Sequence, residues 1–185
     1  PRIAAIDFGW DHPTAVVWCA LDTEEEIFYI YDCYRASKAS PSVHSTVIRS
    51  RPHFIPIAYP HDGNRRDSMG NPGLADQYRN LGCNFLLEHF TNPPALGNNK
   101  GSNSIEEGLM AMLQAIEADK FKVFSTLSDW FEEFRMYHRK DNKVVPLRDD
   151  LMSATRYAFQ SQRYAVAGKD PAWTQDVEYR NYGII

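Results

Sequence analysis

Asp7 ends the apolar run Ile3-Ala4-Ala5-Ile6 and precedes Phe8-Gly9. A carboxylate inside a buried strand is costly unless a cation or hydrogen-bond donors meet it, so Asp7 either serves a cation or lies just past the strand and caps the Gly9 turn. Asp62 follows a short apolar run, Ile57-Ala58-Tyr59. It reaches Asp7 if that run is a strand parallel and adjacent to the first, although an Asp before Gly63-Asn64 is also ordinary turn chemistry. Asp149 and Asp150 open a helix, where the dipole favours a carboxylate and one of the pair can be the N-cap. Neighbouring helical residues point ~100° apart, so one of the two faces a site squarely. Carboxylates gathered in this way repel at neutral pH, and divalent cations resolve the repulsion. Oxygen-only ligands select Mg²⁺ or Mn²⁺ over zinc, and two such ions can activate a water and stabilise the leaving oxygen of a phosphodiester.

Basic residues flank these positions. Arg65 and Arg66 follow Asp62, while Arg135, His138, Arg139, Lys140, Lys143 and Arg148 lead up to Asp149. A solvated face is the default for such runs, but their placement beside the carboxylates suits a nucleic-acid backbone. Lys100, in a Gly/Asn-rich loop, is a further candidate. His61 either touches the site beside Asp62 or sits in a solvated turn. The 185-residue chain has 20 Lys and Arg against 24 Asp and Glu, a net charge of −4. A generally basic nucleic-acid coat is thereby excluded, and phosphate contacts need local patches.

Other chemistries fall away. Asp7-Phe8-Gly9 matches the kinase magnesium motif, but the glycine-rich loop, strand lysine and H-R-D loop that should accompany it are missing. No P-loop occurs, and the six histidines show no H-x-x-x-H spacing. Cys19, Cys33 and Cys83 are odd in number and never spaced C-x-x-C, which argues against a disulfide framework or thiolate zinc site. With no membrane-length apolar stretch and no signal peptide, the chain reads as a soluble intracellular protein. The abrupt opening on a strand pattern suggests a domain cut from a longer protein.

The elements that must position the aspartates follow from periodicity. Three strands, 3–8, 14–21 and 27–34, form an antiparallel meander. A helix over 42–50, a strand at 57–59 with Pro56 at its first residue, a helix from Asn71-Pro72 to Gly82 and a strand at 84–87 come next. Residues 88–103 form a long polar loop. Ser104 and Glu107 make a capping box for a helix with Ile105, Leu109, Met112 and Ile116 as its core face. A short strand or edge at 121–124, an aromatic-faced helix marked by Leu127, Phe131, Phe134 and Met136 or Tyr137, and a charged turn at 139–143 lead to a last helix from Asp149 or Asp150. The tail 161–185, with Trp173, Tyr179 and Tyr182, has no assigned role. Right-handed β-α crossovers after a meander give an α/β fold, a mixed sheet of five or slightly more strands with helices on both faces. That is the ribonuclease-H-like architecture.

The segment Asp7-Phe8-Gly9-Trp10-Asp11-His12-Pro13-Thr14-Ala15-Val16-Val17-Trp18 and the block Arg148-Asp149-Asp150-Leu151-Met152-Ser153-Ala154-Thr155-Arg156-Tyr157-Ala158 resemble the nuclease domain of the large terminase subunit of tailed double-stranded DNA bacteriophages. The resemblance spans roughly residues 3–160, the late block being its most specific part. It implies a ribonuclease-H-like nuclease domain over 1–160 that cuts concatemeric viral DNA with two Mg²⁺ or Mn²⁺ ions. Asp7, Asp62, Asp149 and Asp150 would be the catalytic and metal-binding residues, and Asp150 aligns with the position that reaches the metals, leaving Asp149 to cap. Many relatives carry an Asp where Ser153 stands, so a ligand role there is lost. The family's ATPase motor domain is not in this chain. The resemblance further implies double-stranded DNA, the small terminase subunit and the portal protein as partners, in the host cytoplasm at the procapsid portal. Rival readings are a junction resolvase or transposase core of the same superfamily, which branched-DNA cleavage would separate, and an actin-like or sugar-kinase-like ATP-binding module, for which 185 residues are too few.

Overall fold

A computed structural model describes residues 1–65, 70, 72–94, 101–140, 143–145 and 147–168. Arg66, Lys100 and the tail from 169 lie outside the described residues. Strands β1 (Arg2–Asp7), β2 (Thr14–Asp22) and β3 (Ile27–Ala36) form the expected meander, with Asp7 opposite Ala15 and Ala15 opposite Arg35. After helix α1 (Pro41–Arg49), strand β4 (Ile57–Ala58) runs parallel to β1 on its outer side. Helices α2 (Leu74–Asn80) and α3 (Ile105–Glu117) follow, and then strand β5 (Phe121–Val123) lies parallel to β3. The sheet order is β4-β1-β2-β3-β5. Helix α4 (Ser128–Met136), a hairpin of β6 (Arg139–Lys140) and β7 (Lys143–Val144), and helix α5 (Asp150–Gln160) complete the fold.

Alternation along β1 divides the core. Ile3 and Ala5, with Ala15, Val17 and Phe28, face α5 and its neighbours, whereas Ala4, Ile6, Val16 and Trp18 face Ile48 of α1 and Tyr78 of α2. Full burial of each Ile contributes roughly 1.5–3 kcal/mol, and the sheet is covered on both faces. Asp7 continues the Ile3-Ala5 parity and therefore points to the α5 side.

Three expectations need correction. The run 84–87 is not a strand but a single bridge of Phe85 to Ile57. Its partner β4 is only two residues long between Pro56 and Pro60, neither of which has an N–H to extend a ladder. In α3 the buried residues are Gly108 and Met112, while Ile105 and Ile116 are 47% and 40% exposed. The helix is rotated because Gly108 lies on Arg156 of α5, so close that a Cβ would meet the Arg156 side chain at 2.8 Å. In α4 the buried residues are Trp130 and Glu133; Leu127, Phe131 and Tyr137 of the expected face do pack on the core, whereas Phe134 and Met136 are 45% and 40% exposed. The Trp130 Nε1–H donates to Thr155 Oγ1 of α5 at 2.9 Å, which fixes that rotation.

The β1–β2 loop is locked at its base. The Gly9 N–H donates to Thr14 Oγ1 at 3.1 Å, and the Thr14 hydroxyl donates to the Gly9 carbonyl at 2.9 Å. A Cβ on Gly9 would meet the carbonyl oxygens of His12 and Pro13 at 2.4 and 2.5 Å. Backbone cannot step aside as a flexible side chain can, so Gly9→Ala is expected to cost about 1–3 kcal/mol, seen as a lower urea midpoint with an unchanged slope.

Candidate active site

Four aspartates from three separate chain segments share one end of the sheet. Asp7 ends β1, Asp62 lies in a 3₁₀ turn (His61–Asn64) that follows the parallel neighbour β4, and Asp149 and Asp150 stand at the start of α5. The condition set for Asp62, a strand parallel and adjacent to β1, is met. Asp150 is 5% exposed, Asp7 and Asp149 are half-buried, and Asp62 is exposed. Asp7, Asp149 and Asp150 line an open cleft of about 550 Å³ with Phe8, His12, Pro13, Leu147 and Arg148. Asp62 stands outside that lining, but its charge is felt by Asp7 and Tyr157.

Burial, followed by the charges of Asp150, Asp62 and Asp149, pushes the Asp7 carboxyl up to about 8, against the pull of a hydrogen bond from the Tyr157 hydroxyl. Burial and Asp150 raise Asp149. Burial raises Asp150 too, opposed by His12, whose Nδ1 is 3.5 Å from Asp150 Oδ1. The donor set is therefore oxygen-rich and starved of positive charge, which fits hard divalent cations. Among the described residues no three His, Cys, Asp or Glu side chains already stand together as a metal cage. Asp7, Asp149, Asp150 and Asp62 are the residues that would hold such ions.

The capping role expected of Asp149 is not observed. Asp149 occupies the N-cap position at φ −120°, ψ 14°, outside the extended region that aims a side chain over the first turn, and its carboxylate accepts no cap hydrogen bond. The Leu151 N–H donates instead to Glu133 Oε2 of α4 at 2.7 Å. Asp149→Ala should accordingly lack the ~0.5–2 kcal/mol penalty of a lost cap, as chemical denaturation will show.

The cationic candidates are partly tied up within the fold. Arg148 lines the cleft with a left-handed φ of 52° and lies 3.4 Å from Glu132. Arg139 pairs with Glu106 of α3 at 2.5 Å. Arg65 and Lys140 are exposed, and Lys143 sits opposite Lys140 in the hairpin. The ring neighbour of His61 is His89, centroids 6.4 Å apart. Ser153 is half-buried, its N–H bonded to the Asp149 carbonyl.

Three participants escaped the sequence reading. Tyr157 lies seven residues after Asp150, two helical turns on and hence on the same face, a spacing that could have revealed it. His12 sits in the loop that β1 and β2 must close beside Asp7. Glu133 had no periodic signal, because a buried carboxylate among apolar positions counts against the pattern that locates a core.

The sign of the Asp7 shift yields a test on chelated protein. In the unfolded chain Asp7 ionises near 3.8, and in the fold near 8, so its contribution favours folding below 3.8 and is lost as the pH rises through 8. Asp7→Asn removes that slope. Relative to the unsubstituted protein, its melting temperature in chelator should rise progressively across this range, and parallel curves would show that Asp7 ionises normally.

The chain is similar to known proteins in sequence and fold. Residues 4–162 match the family model of the terminase RNaseH-like domain. The large terminase subunit of Salmonella phage P22 is 36% identical over 169 residues, 91% of this chain and 33% of the relative, so the chain spans about a third of its length. The solved P22 large terminase nuclease domain is 35% identical with a TM-score of 0.78, over 89% of this chain and 82% of that one. The large terminase nuclease domain of bacteriophage SPP1 with bound Mn, 19% identical with a TM-score of 0.61 over 87% and 86%, shares the fold. With its β4-β1-β2-β3-β5 sheet, helices on both faces and aspartates gathered at one sheet end, this chain belongs to the terminase RNaseH-like domain family.

Proposed function

We infer that this domain is a divalent-metal-dependent endonuclease acting on double-stranded DNA, the cutting module with which a large terminase subunit trims concatemeric viral genomes. The observation that carries the reading is the convergence of Asp7, Asp62, Asp149 and Asp150, with Asp7 driven up to about 8 by burial and by the charges of the other three. The SPP1 nuclease domain contains Mn, and the donor set here suits the same class of ion. Asp7, Asp62, Asp149 and Asp150 would hold Mg²⁺ or Mn²⁺ as a pair, which would supply water activation and leaving-oxygen stabilisation for phosphodiester hydrolysis.

The chain's own residues do the positioning. Asp7 and Asp150 line the same cleft, with the Tyr157 hydroxyl bonded to Asp7 and His12 beside Asp150. Asp62 approaches from the turn after β4 and Asp149 from the neighbouring position on α5. Arg148 at the cleft, Arg65 beyond Asp62 and Lys140 on the hairpin would contact the DNA backbone, and Arg66, Lys100, Arg139 and Lys143 complete the proposed contact set. In the whole protein, an ATPase motor domain, the small subunit and the portal would deliver DNA in the host cytoplasm. Among the described residues no helix is long and apolar enough to cross a membrane.

Supercoiled plasmid incubated with Mn²⁺ or Mg²⁺ tests the reading. Nicked and linear products should appear, vanish in chelator, and fall about ten-fold or more between ~50 and ~200 mM salt. Asp150→Ala should abolish them. Cleavage that persists in chelator would overturn the mechanism, and a strong preference for branched DNA would move the domain to the resolvases.

A further inference from the structure

Glu133 is a carboxylate with 1% exposure in α4, and neither of its oxygens faces solvent or the cleft. Oε2 accepts the Leu151 N–H of α5 at 2.7 Å, and Oε1 accepts Arg35 Nη1 of β3 at 3.0 Å. Arg35 is not a remote partner. It stands opposite Ala15, which stands opposite Asp7, so the arginine and the aspartate lie in one cross-strand row two strands apart, on the same face of the sheet. Ala15, wholly buried between them, leaves the space through which α5 approaches.

The other ends of Arg35 are fixed as well. Its Nη2 lies 2.5 Å from Glu132 and 3.3 Å from Asp129, both on α4. The guanidinium thus binds β3 to α4, and Glu133 passes that restraint on to the first turn of α5, one residue from Asp150. Helix starts have free N–H groups that need an acceptor. The start of α5 takes its acceptor from this strut rather than from its own N-cap.

We propose that Arg35 and Glu133 are positioning residues for metal binding, resting on the nuclease reading above: the strut sets the height and rotation of the first turn of α5 so that Asp150 meets Asp7 across the cleft. Elsewhere α4 and α5 are held by the Trp130–Thr155 hydrogen bond and the apolar core, so loss of the strut loosens the first turn while the fold persists. Glu133→Gln is nearly isosteric but has one acceptor for two donors, and its amide N–H₂ must face either Leu151 or Arg35. Arg35→Lys keeps a charge but loses the fork.

The test compares three readouts in the unsubstituted domain, Glu133→Gln and Arg35→Lys. Amide hydrogen exchange, taken without metal, should quicken at Leu151 and Met152 but not along the second half of α5. Calorimetric Mn²⁺ binding should weaken about ten-fold or more in Glu133→Gln, the range usual for groups that orient metal ligands. The Mn²⁺ concentration for half-maximal plasmid cleavage should rise in parallel, with the rate at saturating Mn²⁺ largely recovered. A residue that merely stabilises the fold would lower the melting temperature and leave Mn²⁺ affinity where it was, and that result overturns the proposal. So does unchanged exchange at Leu151. If the unsubstituted domain itself binds no Mn²⁺ and cuts nothing, the nuclease reading fails instead, and the exchange data separate the two failures. Should Glu133→Gln not fold, Arg35→Lys decides the question by the same measurements.

Discussion

Mutual repulsion among carboxylates organises this end of the molecule. Asp7 is held where burial and three like charges make ionisation unfavourable, an arrangement that the chain cannot reach by local structure. It requires β4 to run parallel beside β1, so that Asp62 emerges at the same sheet end, and α5 to begin over the end of β1. Every supporting contact near the cleft can be understood as managing that charge. The Tyr157 hydroxyl donates to Asp7, His12 leans on Asp150, and the dipole of α5 points its positive end at the pair.

Close approach of α5 to the sheet depends on small residues on both surfaces. Ala5 and Ala15 on the strands and Ala154 and Ala158 on the helix are fully buried in one cluster, and larger side chains there would lift the helix and the aspartates with it. On the opposite sheet face Trp18, Tyr59, Tyr78 and Phe85 are buried in one cluster, and the Phe85 ring tilts against Tyr59 and stacks on Tyr78.

The meander, the crossover order and the aspartates at strand ends were legible because each rests on local chemistry: β-branched runs, polar turns, and an acid interrupting an apolar stretch. Helix rotation was not. The face of α3 was misjudged since Gly108, with no side chain, carries no hydrophobic signal, yet it is the point of contact with Arg156. In α4 the inward position Glu133 is acidic and its outward neighbour Phe134 is aromatic, the reverse of the usual pattern. The role of Asp149 was misjudged for a related reason: sequence shows an acid at a helix start but cannot show that a carboxylate 16 residues earlier has taken the N–H. Contacts between elements, not tendencies within them, decided each case.

Helix periodicity also separates the duties of the adjacent aspartates. Seven residues beyond Asp150 lies Tyr157, which turns to Asp7, and seven beyond Asp149 lies Arg156, a guanidinium 5% exposed and packed over the rings of Phe90 and Tyr157. One stripe of α5 thus faces the floor of the cleft and the next faces α3. The positive charge of Arg156 lowers Asp149 without pairing it directly, a long-range counterweight to Asp150. Arg35, Arg139 and Arg148 instead pair directly with Glu133, Glu106 and Glu132. The Arg35 pair is the most sheltered of these, whereas the pairs of Arg139 and Arg148 are about half-exposed and screened by water, which leaves those two charges open to phosphate. On the nuclease reading, cations held by the aspartates would add to the attraction that Arg65, Lys140 and Arg148 offer a polyanion, and metal binding would then be coupled to substrate binding.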